Sequence, residues 1–457
     1  MRRSTFLFIS LILFVVTSCT PKPAENRTTV VHPDWTGNAV IYQINVRQFT
    51  KEGTLAAVEQ QFDRLKELGV DVLYLTPIAE IGKQDRQGEL GYYRAIRNYK
   101  EIDREFGDWM TLRAFVKNAH EKGFKVIFDW VGDETSSDAV WTSRNGDWYV
   151  QDTIKGGISI DPEHPDVAKL DYNNTALWVE MAQAMTFWSD KGVDGYRADF
   201  GRQSLKFINE ITREMREVRK NSFYITTSEN AALQRNAFDA YSANSQRKIW
   251  EAVAKGEVSA DSLANFYALY AENTGMPEGT MAMNYLTDDQ INSFVGSAPE
   301  IYGADAVKAF AVLSFTVPGI PMIYNGEEIG LDRKLAPYEK DSIDWSRGNN
   351  DLTAFYKDLI SLRKNHICLW SQPAGGTMAI LPSDHPEKVF VFEREAEGDM
   401  CLAMFNFSNE EVTFNVENHI VTTDKEFTLP PYGYHLIFSV GNCFGNCDLS
   451  EFDHKSE

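Results

Sequence analysis

An arginine and an aspartate stand two residues apart at the end of an apolar segment, in Gly195-Tyr196-Arg197-Ala198-Asp199. Side chains alternate along a β-strand, so Arg197 and Asp199 are predicted to lie on the same face. A neighbouring arginine keeps a carboxylate ionised and oriented, which is what a nucleophilic aspartate requires. A structural ion pair at a strand end explains these two residues equally well, so the surrounding elements must decide.

Eight short β-branched and aromatic segments alternate with longer amphipathic segments, which is the pattern of repeated βα units around a parallel sheet. The helices are clearest over 55–68 and 109–122, where apolar residues recur at intervals of three and four. Eight strands predict a closed (β/α)8 TIM barrel over 34–370, with strands at 40–49, 70–77, 125–131, 193–200, 222–228, 238–241, 280–287 and 319–325.

The connection after the third strand is longer than a βα loop needs, so 132–173 is predicted to form a short excursion over the barrel mouth. It carries Trp141, Trp148 and Tyr149, which could stack on sugar rings or pack the excursion on itself. Over 371–440 the pattern changes to alternating strands, typical of a small antiparallel β-sandwich domain, and 441–457 remains as a tail.

The N-terminus predicts export. Arg2 and Arg3 precede an apolar run over 6–16 that is too short to span a bilayer and has the form of a secretory signal. The run ends in Val16-Thr17-Ser18-Cys19, which resembles a bacterial lipoprotein cleavage box. We therefore expect 1–19 to be the signal peptide, 20–33 a tether, and the lipid on Cys19 the only membrane attachment, on the periplasmic side or at the cell surface.

Composition limits the partners. The chain has 457 residues, 43% of them hydrophobic, and a net charge of -21 from 66 acidic and 45 basic residues. That charge argues against nucleic acid as the main partner and is compatible with a neutral sugar, although an acidic surface also serves solubility. In an oxidising compartment Cys443 and Cys447 could form a disulfide; a metal knuckle is the weaker alternative, because no histidine lies between them.

The strand sequences resemble the α-amylase family of glycoside hydrolases (family 13). The likeness is carried by IYQI at 41–44, VLYLTP at 72–77, EFG at 105–107, FDWV at 128–131 and PGIPMIYNGEE at 318–328. It implies a (β/α)8 barrel with a third-strand excursion and a C-terminal β-sandwich. It also implies an activity that hydrolyses or transfers α-glycosidic bonds with retention, so the expected ligand is an α-glucan or oligosaccharide.

The resemblance assigns catalytic positions. Asp199 falls at the family's nucleophile and Asp129 at its third-strand aspartate. Thr227 falls at the glutamic acid/base, while Glu229 lies two residues further on, a shift of about 6.6 Å along a strand, so it qualifies only if the turn slips. Gln290 falls at the second aspartate, which holds sugar hydroxyls in the transition state. Two catalytic carboxyls are thus replaced by neutral side chains.

Sugar-binding positions differ as well. Asp133 and Glu134 replace an asparagine and a histidine, and Arg94 stands where a sugar-stacking tyrosine is expected, beside Tyr92 and Tyr93. We hypothesise that Arg94 bridges Glu134 or reaches Asp199 and so fills the pocket. The positions expected to face substrate are Arg94, Tyr93, Asp129, Glu134, Arg197 and Asp289.

Two functions therefore stay open. The first is a pseudoenzyme, an α-glucan-binding or regulatory lipoprotein whose retaining hydrolysis is lost or strongly altered. The second is an active α-glycosidase or transglycosidase with Asp199 as nucleophile and Glu229 as acid/base. The replaced carboxyls favour the first. No cofactor is expected; Asp133 could offer an oxygen to calcium, as in some family members, but loop aspartates are more often solvated.

Overall fold

The computed structural model describes residues 29–201, 205–273, 275–417, 419–439 and 443–445. Eight parallel strands close into a barrel in which each strand pairs with its sequence neighbours. They are β1 (Ile41–Ile44), β2 (Val72–Leu75), β3 (Lys125–Val131), β4 (Gly195–Asp199), β5 (Phe223–Thr226), β6 (Ala240–Ser242), β7 (Met281–Asn284) and β8 (Ile320–Tyr324). Each of the eight predicted strands overlaps an observed one. The first was predicted to run to Phe49, which is wrong, because the strand ends at Ile44 and residues Val46–Phe49 form a helix. The signal peptide, Cys19 and Cys447 lie outside the described residues.

The predicted helix over 109–122 is observed as Trp109–Glu121, and Gly123 follows it with a φ of 82°. The segment 55–68 forms two helices, Leu55–Glu59 and Phe62–Leu68, because the chain breaks at the two glutamines between them. The other α-helices are Val46–Phe49, Thr175–Asp190, Leu205–Val218, Ala231–Asn236, Asn244–Ala254, Asp261–Asn273, Asp289–Phe294, Ala298–Tyr302, Val307–Thr316 and Asn350–Asn365. Among the described residues, no helix has the length and apolar character needed to cross a membrane.

Two apolar layers hold the barrel. Its interior is filled by buried side chains such as Ile127, Phe223 and Met322, while a larger cluster packs the strands against the surrounding helices. Gly195 shows how tightly β4 and β5 approach each other, because a Cβ at this position would lie 1.9 Å from the carbonyl oxygen of Phe223. This close contact fixes β4 and therefore the position of the polar residues at its end.

The excursion after β3 contains a three-stranded sheet of Glu134–Ser136, His164–Lys169 and Ile160–Asp161. Its aromatic residues Trp141, Trp148 and Tyr149 are all buried. Trp141 stacks on Tyr99 with ring centroids 4.9 Å apart and contacts Trp148 edge to face. These rings therefore pack the excursion on itself and present no surface on which a sugar could stack.

The C-terminal domain is an antiparallel sheet in the order Thr377–Leu381, Val389–Ala396, Asp399–Asn406, Tyr434–Phe438 and Cys443–Gly445, with a second sheet of Val412–Asn415 and Glu426–Leu429. Two fully buried arginines join it to the barrel. Arg394 donates to the carbonyls of Thr316 and Trp370 in the barrel, at 3.0 Å each. Arg363, in the barrel, donates to Ser371 Oγ at 2.8 Å and to Gly319 O at 3.0 Å. Backbone carbonyls at the domain junction thus take the place of acidic partners.

A buried carboxyl follows β8. The Thr287 hydroxyl donates to Glu327 Oε1, and the Tyr324 backbone N–H donates to Oε2 at 3.3 Å. Burial raises the pKa of Glu327 to about 8. The folded chain therefore keeps a proton that the unfolded chain releases near pH 4.5, so this group destabilises the fold increasingly as pH rises between those values.

We predict that Glu327→Gln removes this pH dependence, because the amide stays neutral. Between pH 5 and 8.5 the melting temperature of the variant should rise relative to that of the unaltered chain as pH increases. The corresponding difference in unfolding free energy should grow by up to about 1.4 kcal/mol per pH unit. Thermal melts across that range measure it, with exposed Glu257→Gln as control. If the difference in melting temperature between the variant and the unaltered chain stays constant with pH, the raised pKa of Glu327 is contradicted.

Candidate active site at the barrel mouth

The carboxylate of Asp129, near the C-terminal end of β3, lies at the centre of the mouth and is 3% exposed. Arg94 donates to its Oδ2, and Arg197 donates to its Oδ1 at 3.4 Å. Burial alone would raise the pKa of Asp129, but the two guanidinium groups outweigh burial and hold that pKa below its ordinary value. Asp129 is thus a buried anion held between two cations.

The expected pairing of Arg197 with Asp199 is wrong. Arg197 and Asp129 are register partners on β4 and β3, and Arg197 turns toward that buried carboxylate. Asp199 ends β4, is partly exposed, and accepts a hydrogen bond from the Gly201 backbone N–H at 2.9 Å. A buried carboxylate without a partner costs far more than a solvated one, which explains why Asp129 takes the arginine.

Arg94 enters the mouth from the loop between strands Ala79–Ile81 and Ile96–Ile102, and it is 8% exposed. Its guanidinium contacts Asp129 and lies 3.9 Å from Asp289 Oδ2. The hypothesis that Arg94 bridges Glu134 or reaches Asp199 is therefore wrong. Arg94 instead pairs with Asp129 and Asp289, because these two carboxylates are more deeply buried. Arg94 does lie inside the mouth, between Asp129 and Asp289.

Asp289 begins the short helix Asp289–Phe294 and is saturated with hydrogen bonds. Gln43 Nε2 donates to Oδ1, and the Tyr93 hydroxyl and Gln290 Nε2 both donate to Oδ2, each at 2.8 Å. The other end of the Gln290 amide accepts from the Tyr92 hydroxyl. The residue at the stabiliser position is therefore neutral and fully engaged with protein groups.

The acid/base region offers no carboxyl at the expected position. Thr227 follows β5, is partly exposed, and its carbonyl oxygen accepts from Asn244 Nδ2 at 3.0 Å. Glu229 accepts from the Ser245 backbone N–H at 2.6 Å, in the first turn of helix Asn244–Ala254. Its negative charge thus stabilises the N-terminus of that helix.

Two other carboxyls lie near Asp199. Burial and the nearby charge of Asp199 raise the pKa of Asp133 to about 6. Burial and the nearby charge of Asp133 raise the pKa of Glu134 to about 7. A Cβ on Gly201 would lie 3.7 Å from Asp133 Oδ2, so Asp133 packs against the turn that follows Asp199. Near neutral pH these two side chains are therefore partly protonated.

The sequence did not indicate two members of the site, Gln43 and Asp288. Gln43 is the one polar residue in the buried segment IYQI, and this isolation was the signal for an inward-facing role. Asp288 accepts from the Ile291 N–H at 2.8 Å as a helix cap. Burial and the neighbouring Asp289 raise the pKa of Asp288 to about 6.

The described part of the chain provides no ligand set for a metal. Within those ranges, no group of three or more His, Cys, Asp or Glu side chains is arranged to hold an ion. Calcium takes roughly six to eight oxygen ligands, and Asp133, which could offer one oxygen, lies beside Asp199 without such a cluster among the described residues. Those residues therefore do not fit a calcium site of the kind found in some family members.

Comparison with known proteins shows what the chain is similar to. The model of the α-amylase catalytic domain matches residues 26–166. α-Amylase MalA of Haloarcula japonica is 26% identical over 83% of this chain, which spans 57% of that relative's length. A Bacillus sp cyclomaltodextrinase is 24% identical, with 82% of this chain and 73% of the relative aligned. The mouse amino acid transporter heavy chain SLC3A1 is also 24% identical, over 65% of this chain and 54% of that protein.

The fold agrees with these matches. The crystal structure of a maltogenic α-amylase, AmyB from Thermotoga neapolitana, superimposes with a TM-score of 0.77 at 22% identity, covering 88% of this chain and 96% of the other. At that identity the likeness concerns the fold, a closed barrel with a C-terminal antiparallel sheet domain. The catalytic-domain match over residues 26–166 and the curated relatives show that this chain is similar in sequence to the α-amylase family of glycoside hydrolases.

Proposed function

We propose that this chain is an α-glucan-binding member of its family in which retaining hydrolysis is lost. The observation that carries the proposal is the ion network of Arg94, Asp129, Arg197 and Asp289, which fills the barrel mouth with paired side chains. Retaining hydrolysis needs two carboxyl groups about 5 Å apart, one ionised and one protonated, on either side of the glycosidic bond. Asp199 is the only family carboxylate of that pair that remains at its position.

Electrostatics support the same proposal. The transition state carries positive charge on the sugar ring, and acidic side chains stabilise it. Relative to the family pattern, this mouth has Thr227 and Gln290 in place of two carboxyls and gains the guanidinium of Arg94. Each of these three changes makes the mouth less negative and disfavours the oxocarbenium-like state. Asp133 and Glu134 act in the opposite direction, but burial raises the pKa of each, to about 6 and about 7, so both are partly neutral near pH 7.

The ligand class rests on the relatives. Two of them are named as an α-amylase and a cyclomaltodextrinase, so an α-glucan is the ligand that we propose here. A third relative is named as a transporter heavy chain rather than as a glycosidase, which supports a role other than hydrolysis for a chain of this family. The acidic net charge is compatible with a neutral polysaccharide.

An active retaining glycosidase is the second candidate. One observation favours it: Asp199 keeps an unpaired carboxylate at the nucleophile position, with a partly protonated carboxyl, Asp133, beside it. Glu229 is the weaker part of this candidate as the acid/base, because its carboxylate accepts a hydrogen bond from the Ser245 backbone N–H.

The first test is release of reducing ends. Purified protein incubated with maltoheptaose, pullulan and γ-cyclodextrin should release no more sugar than Asp199→Asn protein at equal concentration. The reason is the missing acid/base, whose loss alone removes orders of magnitude in rate. Sugar release by the unaltered chain that Asp199→Asn abolishes would establish the enzyme and refute the loss of hydrolysis.

The second test concerns the ion network. Arg94→Met should destabilise the fold by about 3 kcal/mol in urea unfolding, because Asp129 and Asp289 stay buried with one cation fewer. Arg97→Met is the matched control, since its pair with Glu80 is partly exposed at 32% and 22%, and it should cost less than about 1 kcal/mol. Equal losses in the two variants would show that Arg94 is not a buried counter-charge.

We also propose that the protein is exported and lipid-anchored through Cys19, on the basis of the signal-like run and the cleavage box. Expression in a bacterial host with radiolabelled palmitate should label the chain, and Cys19→Ser should abolish the label and move the protein to the soluble fraction. Cys443→Ser should leave the label unchanged. Label that persists in Cys19→Ser would refute the anchor site.

A further inference from the structure

The segment 30–36 crosses the end of the barrel opposite to the mouth. Val30 is buried, and its backbone N–H donates to Glu278 O at 2.8 Å, in the turn that leads into β7. Trp35 packs against Phe223, the first residue of β5, with ring centroids 5.6 Å apart. All eight parallel strands begin at this end of the barrel, which we call the N-terminal face.

Close packing holds this segment on the N-terminal face. Gly279 has a φ of 80°, and a Cβ on it would lie 3.0 Å from Val30 O, so the two backbones approach closely. Lys125, at the start of β3, places its Nζ atom 5.9 Å from the centre of the Trp35 ring. Whatever precedes Thr29 must therefore join the barrel at its N-terminal face.

The chain between the proposed lipid and the barrel is short. Thr29 follows Cys19 by ten residues. Ten residues span about 17 Å as a random coil and at most about 35 Å when fully extended. The outer helices give the height of the barrel, since Asn350–Asn365 has 16 residues and is therefore about 24 Å long. A ten-residue coil is shorter than this height, so it reaches past the N-terminal face more easily than along the barrel to the mouth.

The N-terminal face carries a balanced charge, unlike the chain as a whole. It consists of the segments that precede the eight strands or follow the last helix, namely 34–40, 69–71, 122–125, 190–194, 219–222, 237–239, 277–280, 317–319 and 364–371. These segments contain six basic and six acidic residues, Lys122, Lys125, Lys191, Arg219, Lys220, Lys364, Asp34, Asp71, Asp190, Asp194, Asp239 and Glu278. The net charge of -21 is therefore carried by the remainder of the chain.

Ion pairs within the N-terminal face neutralise part of its acidic charge. Asp71 pairs with Lys364 at 2.7 Å, and Asp194 pairs with Arg219 at 2.6 Å. Lys220 is exposed. A bilayer that contains anionic lipid repels negative charge within about one Debye length, roughly 8 Å. The balanced face can therefore approach such a surface more closely than the acidic remainder of the chain can.

We propose that the N-terminal face lies toward a lipid bilayer and that the barrel mouth opens away from it. The place where the chain joins the barrel and the balanced charge of that face both favour this orientation. The inference rests on the lipid anchor at Cys19 proposed above, and it adds the direction in which the anchored chain presents its mouth. A polymer too large to enter the space between protein and membrane can still reach a mouth that opens away from the bilayer.

The test is energy transfer from a fluorophore on the lipidated full chain to labelled head groups in vesicles of phosphatidylethanolamine and phosphatidylglycerol. The fluorophore is attached through a cysteine in a Cys443→Ser/Cys447→Ser background. The two remaining thiols, Cys368 and Cys401, are buried and are not expected to react.

Two exposed positions at opposite ends of the barrel are compared. Lys220→Cys places the label on the N-terminal face, and Glu163→Cys places it on the excursion beside the mouth. Transfer from position 220 should be at least roughly twofold more efficient than from position 163, because the labels lie at opposite ends of a barrel about 24 Å high. Both side chains are exposed, so both variants should keep the melting temperature of the unaltered chain.

The outcomes separate the anchor from the orientation. Flotation of the chain with the vesicles is measured first, with Cys19→Ser as the control. A chain that does not float refutes the anchor, and the orientation falls with it. If the chain floats and transfer from position 163 equals or exceeds transfer from position 220, the orientation alone is refuted.

Lengthening the connection tests its cause. Twenty Gly and Ser residues inserted after Asn26 should reduce the difference in transfer, because a thirty-residue coil spans about 30 Å, more than the height of the barrel. A difference that stays the same in the lengthened chain would refute the short connection as the cause of the orientation.

Discussion

The structure depends on one electrostatic constraint, the need to neutralise a carboxylate buried inside the barrel. Asp129 lies at 3% exposure, and its ionised form survives there only because Arg94 and Arg197 bind its two oxygens. Both arginines therefore serve as counter-charges of Asp129. Asp289 takes the remaining donors of the mouth, from Gln43, Tyr93 and Gln290. These side chains therefore bond mainly to one another, although Arg197 Nε is buried without a hydrogen-bond partner.

This constraint explains why the departures from the family pattern occur together. A buried arginine at position 94 needs acidic partners, and a buried glutamine at position 290 needs hydrogen-bond partners for its amide group. Here Arg94 has Asp129 and Asp289, and Gln290 joins Asp289 to Tyr92. The replaced side chains therefore satisfy one another's charge and hydrogen-bonding needs.

The sequence predicted the scaffold better than the contacts. The eight strands were recognisable because each is a short apolar segment between amphipathic helices. Such a segment can be identified from its own residues, without knowledge of the assembled barrel. The partners of Arg94 and Arg197 were mispredicted, since spacing along the strand favoured Asp199 while the outcome depends on relative burial. Burial is a property of the assembled barrel. The break at the glutamines within 55–68 was missed for a similar reason, because apolar spacing continues across it.

The network extends to the rim of the mouth, where the Tyr92 hydroxyl donates to the Gln290 amide oxygen. The most direct measurement is a crystal structure of the protein soaked with maltoheptaose. The account predicts that the Arg94–Asp129 pair stays intact and that no glucosyl ring lies against Asp199. A glucosyl ring seated against Asp199, with Arg94 displaced from the mouth, would contradict it.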